Sequence, residues 1–201
     1  MEDFKASLNQ ITLAYDRGQA AVVVELCKKH LRKFPKDGFG WLYYGMVQTD
    51  LFRYAVAERA LRRGITCCPK NVLLTGYTRL GNLFREKGDY KRATAWYRRA
   101  MKQKPQDATY HIFLADNAFK FGFLKQAEKH FRNALKCTEG NIDEAYFNLG
   151  GILLGRREYP EAIKCYREAL KIDPKYQIAR KRLEDAELAL LMVNDTASSV
   201  G

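Results

Sequence analysis

Apolar and small residues recur along this chain at helical rather than strand spacing. In AYFNLGGILLG (145–155), Tyr146, Leu149, Gly150 and Leu153 fall on one face of a helix, with a small residue where a neighbour can come close. The stretch that follows repeats the pattern with Ala162, Tyr166 and Ala169. Glu158-Tyr159-Pro160 separates the two, and Pro160 suits a first helical turn, where no backbone donor is needed. Gly88-Asp89-Tyr90 marks the same kind of break in mid-chain. Neither helix is long enough to be stable alone in water, so each pair must bury its apolar face against the next.

The pairs recur with a fixed period. EYPEAIKCYREALKIDP (158–174) is echoed by DYKRATAWYRRAMKQKP (89–105) and FLKQAEKHFRNALKCTE (123–139). Val23, Ala57, Ala93, Ala127 and Ala162 hold one register, at intervals of 34, 36, 34 and 35 residues. Ile11, Gly45, Gly81, Ala115 and Gly150 hold a second, and Pro35, Pro69, Pro105, Glu139 and Pro174 close each repeat. Five repeats therefore fill about 4–37, 38–73, 74–107, 108–142 and 143–176.

Such a helix-turn-helix, with large residues in the first helix, small ones at the crossing and a terminal proline, resembles the tetratricopeptide repeat. The match is best from Tyr77 to Pro105 and in the fifth repeat. The resemblance implies an all-α, right-handed α-solenoid. The first two repeats depart from the pattern, with Ser7 and Gln10 at usually apolar sites, His30 and Gly64 in place of the second alanine, and two extra residues before the third repeat. Looser packing is expected there. Residues 177–193 read as a capping helix covering the fifth repeat with Ile178, Leu183, Ala186 and Leu190, and 194–201 as a disordered tail. Leu188, Leu190, Leu191, Met192 and Val193 cannot share one face, which points to a partner, a second copy or a longer parent protein.

Composition narrows the function. Among 201 residues, no run of about 18 apolar ones and no secretion leader is recognised, so cytoplasm is the expected location. Five cysteines lack the spacing of a metal site or the density of a disulfide framework. His30, His111 and His130 fall on separate helices and read as structural residues. With no phosphate-binding glycine loop and no nucleophile with a recognisable partner, the chain reads as non-enzymatic, without cofactor or metal.

Function must then lie on a surface. The resemblance implies a concave groove lined by first helices, which here would present Phe39, Leu42, Tyr43 and Met46, then Arg79, Asn82 and Arg85, then Ile112, Phe113, Asp116 and Phe119, and finally Phe147 and Asn148. Arg79, set among Tyr43 and Phe113, suits a peptide that is acidic with apolar side chains; the alternative is that it pairs with Asp116 or stays solvated. The two-carboxylate clamp by which some family members hold chaperone tails is not recognisable. Thr78 and Asn82 would begin it, but Phe113 stands where an asparagine is needed and Glu144 where a lysine is needed.

Charge offers a second surface. Of a formal net charge of +12, residues 74–107 carry nine Lys/Arg against three Asp/Glu. Lys91, Arg92, Arg98, Arg99, Lys102 and Lys104 would form a basic convex patch able to meet nucleic acid or an anionic membrane, or simply a solvated face. Self-assembly through the apolar end near Leu188 remains a third reading.

Overall fold

The computed structural model describes residues 2–198, which hold eleven α-helices and one 3-10 turn, Lys70–Val72. The first ten helices form five hairpins: α1 (Glu2–Asp16) with α2 (Ala20–Lys33), α3 (Gly38–Asp50) with α4 (Tyr54–Cys67), α5 (Leu73–Glu86) with α6 (Tyr90–Gln103), α7 (Ala108–Lys120) with α8 (Leu124–Ala134), and α9 (Ile142–Gly155) with α10 (Tyr159–Ile172). The last helix, α11 (Gln177–Ser198), packs on α10. The chain divides into two compact halves, Met1–Gln103 and Lys104–Gly201.

Each hairpin turns in the same way. The second residue after the first helix takes a left-handed conformation: Gly18, Phe52, Gly88, Gly122 and Arg157, with φ of 67°, 57°, 73°, 77° and 64°. Its N–H and the next one reach back to carbonyls three and five residues earlier, as in Gly88 to Arg85 (2.9 Å) and Asp89 to Phe84 (2.8 Å). That pattern satisfies carbonyls which a helix end leaves unpaired. The crossing of α9 and α10 is equally tight. A side chain at Gly150 would press its first carbon to 2.8 Å from the Tyr166 ring, so only glycine lets the two helices approach.

In the N-terminal half the departures from the repeat pattern form a polar network rather than loose packing. His30, fully buried, lies 3.0 Å through Nδ1 from Ser7 Oγ and 2.8 Å through Nε2 from Asp37 Oδ2. Asp37 in turn caps α3, accepting from the N–H groups of Phe39 (3.2 Å) and Gly40 (2.8 Å). Ile11, Val23 and Cys27 of the same half are fully buried, so the expected looseness is corrected: imidazole, hydroxyl and carboxylate meet with their bonds satisfied.

In the C-terminal half, Phe131, Leu149, Leu153 and Tyr166 anchor a continuous core to which α11 adds Ala179 and Ala186, both fully buried, with Leu183 and Leu190 half-buried beside them. Ile178, expected in that stripe, is 59% exposed. The packed face runs through 179, 183, 186 and 190, and residue 178 lies about 100° away on the helical wheel. The expectation of a disordered tail from residue 194 is also corrected: α11 continues to Ser198, since no glycine or proline interrupts it and each added residue gains a backbone bond. Residues 199–201 lie outside the described residues.

Candidate functional site

In the N-terminal half, α1, α3, α4 and α5 enclose a hollow of about 260 Å³. Its polar floor comes from Arg79, Asn82, Arg85 and Glu86 of α5 with Asp50 of α3, and its apolar wall from Tyr15, Met46, Phe52 and Tyr54. Three of the groove residues expected from sequence meet here on successive turns of α5. Their roles differ. Asn82 Oδ1 accepts a hydrogen bond from the Tyr97 hydroxyl (2.8 Å) and so holds its own hairpin together. Arg85 lies 3.7 Å from Glu86. Arg79 is half-buried and makes no ion pair among the described residues.

Tyr15 and Asp50 were not singled out from the sequence. Burial raises the Tyr15 hydroxyl above its ordinary pKa, and the charge of the Asp50 carboxylate adds to this while Arg79 opposes it. Tyrosine, carboxylate and guanidinium are therefore electrostatic neighbours in one hollow.

Other expected groove residues fall elsewhere. Leu42 (2% exposed) and Ile112 (1%) belong to the core, a correction with a simple cause. Leu42 fills the space over Gly64 and Gly76, and Ile112 joins the C-terminal cluster, because a first helix packs on its own partner and on the next hairpin as well. Phe39 is exposed and Tyr43 packs on the first hairpin, its ring 5.8 Å from that of Tyr15. Phe113 is half-buried, edge-on to Tyr110 at 6.4 Å.

The C-terminal half holds a larger hollow, about 430 Å³, walled by Phe119, Phe131, Phe147, Ile152 and Leu154, with Asp116, Asn148 and Arg182 supplying polar groups. Four expected residues, Asp116, Phe119, Phe147 and Asn148, meet here. Tyr166 also lines it, fully buried, and its hydroxyl oxygen has no hydrogen-bond partner among the described residues. Burial pushes that phenol up to about 12. Facing it is Gly151, whose added first carbon would stop 3.9 Å short of the hydroxyl. Asn82 stands fifteen residues before Tyr97 just as Gly151 stands fifteen before Tyr166. That alignment was the available signal, and it acquires meaning only once the Asn82–Tyr97 bond is seen.

On α6, Lys91, Arg98 and Lys102 are exposed and make no ion pair among the described residues. Arg92 pairs with Asp89, holding that carboxyl below its ordinary range, and lies 4.3 Å over the Phe84 ring. Arg99 covers Trp96 at 4.3 Å and Arg62 approaches the same ring at 5.5 Å. Lys104 belongs to the other half and lies 3.5 Å from Glu139.

Family models described as "Tetratricopeptide repeat" and "TPR repeat" match residues 143–176 and 81–116. The chain is a tetratricopeptide repeat protein. Among solved structures, a thermophilic repeat protein of Thermus thermophilus aligns over 92% of this chain and 99% of its own with a TM-score of 0.65 at 21% identity. The pilF protein of Pseudomonas aeruginosa aligns over 96% and 92% with a TM-score of 0.72 at 15% identity. These neighbours share the fold, and they show the expected all-α solenoid class. Among curated relatives, Hsp70-Hsp90 organizing protein 3 of Arabidopsis thaliana is 33% identical over 99 residues, 48% of this chain and 17% of its own. Tetratricopeptide repeat protein 12 of Mus musculus is 28% identical over 126 residues, 63% of this chain and 18% of its own. The matched stretches thus span less than a fifth of each relative.

Within this tetratricopeptide repeat protein two histidines read as unconnected do meet. His111 and His130 approach to 3.3 Å between Nδ1 atoms, occupying the place that Tyr77 and Trp96 fill one repeat earlier. Burial lowers the His111 pKa below its ordinary 6.5. Among the described residues no group of three or more His, Cys, Asp or Glu is placed to hold a metal ion. The five cysteines are free thiols, and burial, followed by the Asp37 charge, drives Cys27 up to about 12 and Cys68 to about 11. Among the described residues no helix is long and apolar enough to cross a membrane.

Proposed function

We propose that this chain is a non-enzymatic, cytoplasmic protein-interaction scaffold of five repeats, bounded as in the sequence reading and closed by α11, and that partner segments seat in the first-helix hollows. The observation that carries this is Arg79. A half-buried guanidinium beside Tyr15, with no ion pair of its own, favours an incoming carboxylate, and the aromatic wall favours apolar side chains next to it. The Asp50 carboxylate lines the same hollow but makes no ion pair with Arg79 among the described residues. An acidic peptide with apolar side chains fits that arrangement.

A solved neighbour, YrrB, is described as a repeat protein with an unusual peptide-binding site, and the organizing proteins lend the general role of bringing proteins together. Their partners do not transfer, because Phe113 and Glu144 occupy positions that a chaperone-tail clamp would need as asparagine and lysine. A second reading rests on Lys91, Arg98 and Lys102, exposed cations able to meet nucleic acid or an anionic membrane.

Affinity capture from cell extract with wild-type protein, Arg79→Glu, and an Arg99→Glu/Lys102→Glu double variant separates the two. Partners lost only with Arg79→Glu place binding in the hollow. Partners retained by Arg79→Glu but lost with the double variant overturn the reading in favour of the basic face.

A further inference from the structure

We propose that the hollow of the C-terminal half receives one phenolic side chain, a tyrosine presented by a protein partner, whose hydroxyl oxygen accepts the hydrogen bond that Tyr166 makes with no group among the described residues. The inference rests on the scaffold reading above and adds to it the residue class recognised.

The chain contains its own reference for this site. Tyr97 and Tyr166 are both fully buried and occupy the same position in two hairpins. In the third repeat the hydroxyl donates to Asn82 Oδ1 at 2.8 Å. In the fifth, Gly151 stands at the matching place, and a hollow of about 430 Å³ lies where a side chain would project. That volume falls within the range of ligand pockets. A buried hydroxyl left without an acceptor is costly, and native structures seldom tolerate one. A cavity beside such a donor is therefore shaped for a group that brings the acceptor with it.

The walls restrict which group. Phe119 and Phe147 favour a flat apolar body, and the Asp116 carboxylate at the polar side favours a donor. A phenol meets all three demands, with its ring against the phenylalanines, its oxygen accepting from Tyr166 and its O–H directed to Asp116. Phenylalanine would leave the Tyr166 donor unbonded. Lysine or arginine could not accept its proton, and a carboxylate, which Arg182 of the same hollow would draw, offers no donor to Asp116.

The test uses the full chain, isotopically labelled and titrated with N-acetyl-tyrosinamide and N-acetyl-phenylalaninamide, with the backbone amide resonances of Asn148 and Gly151 as the readout. The tyrosine compound should bind about five-fold more tightly, the worth of one hydrogen bond. Tyr166→Phe, which deletes a hydroxyl without a partner among the described residues, should leave the fold intact and bring the two compounds to parity. Gly151→Asn, which copies the third repeat into the fifth, should abolish the shifts from both. Equal binding to the wild type, a preference that survives Tyr166→Phe, or shifts that avoid Asn148 and Gly151 would overturn the assignment. If the probes fail while Arg79-dependent capture persists, this pocket is wrong and the scaffold reading stands. The converse result would sink the Arg79 reading and leave the pocket.

Discussion

Replacing Gly151 with asparagine should make this protein more stable, which is unusual for a substitution facing a cavity. The change acts through two effects. In α9 it replaces the poorest non-proline helix former, for a gain of a few tenths of a kcal/mol. It also offers the Tyr166 hydroxyl the carboxamide oxygen that Asn82 offers Tyr97 at 2.8 Å, removing a buried unsatisfied donor whose penalty is about 1–3 kcal/mol. After the side-chain entropy of the new asparagine is charged against this, about 1–2 kcal/mol should remain. For a chain of this size that is roughly 3–6 °C in the unfolding midpoint. Thermal and urea unfolding followed by circular dichroism would measure it, with Asn82→Gly as the mirror image, expected to lose a similar amount by orphaning Tyr97. The double exchange, Asn82→Gly with Gly151→Asn, should return close to wild type. Should Gly151→Asn lower the midpoint, or Tyr166→Phe cost more than about 1 kcal/mol, the hydroxyl is already satisfied in the folded chain and the comparison of the two repeats fails.

Two further predictions concern the histidines. The folded state binds a proton at His111 less readily than the unfolded state does, so the stability linked to it is complete above the ordinary pKa of 6.5 and declines as the pH falls through the lowered value. Urea midpoints measured from about pH 7.5 down to about pH 5 should fall more steeply for wild type than for His111→Tyr/His130→Trp, which transplants the Tyr77–Trp96 pair; equal slopes would rule out the imidazole pair as the cause. Asp37→Ala should cost about 3 kcal/mol in urea unfolding, combining a lost helix cap with an imidazole deprived of its partner. A loss under about 1 kcal/mol would show that the network does not hold the first two hairpins together.

Much of the fold was legible because a period constrains it repeatedly. Gly150 and Ala162 declare a helix crossing, and Gly45, Gly81, Ala93 and Ala127 declare it again. The site was legible only in part. Arg79, Asn82 and Arg85 share a face of α5, which spacing alone predicts, whereas Leu42 and Ile112 were misplaced because spacing does not reveal that a first helix is covered on two sides. Ile178 shows the same limit at smaller scale: in an end helix rich in apolar residues, a phase shift of one residue still yields a plausible stripe. The meetings of His111 with His130, and of Tyr15 with Asp50, join residues on different helices, and neither was singled out because their side-chain chemistry gives no sequence sign of pairing. Most hidden of all was Gly151, whose importance lies in the bond it withholds from a tyrosine fifteen residues away.

The identical left-handed turns have a consequence for how such a chain changes length. In all five hairpins three residues join the two helices, while four residues separate α2 from α3 and five separate α4 from α5; the seven before α9 arise largely because α8 has 11 residues where α6 and α10 have 14. The two extra residues between Ala57 and Ala93 and the one between Ala127 and Ala162 thus lie between hairpins and not within one, even where Phe52 or Arg157 must adopt a backbone conformation better suited to glycine. The hairpin is the indivisible unit of inheritance here, and the segments between hairpins are the seams at which a repeat can be duplicated, deleted or replaced without disturbing the pairing inside its neighbours.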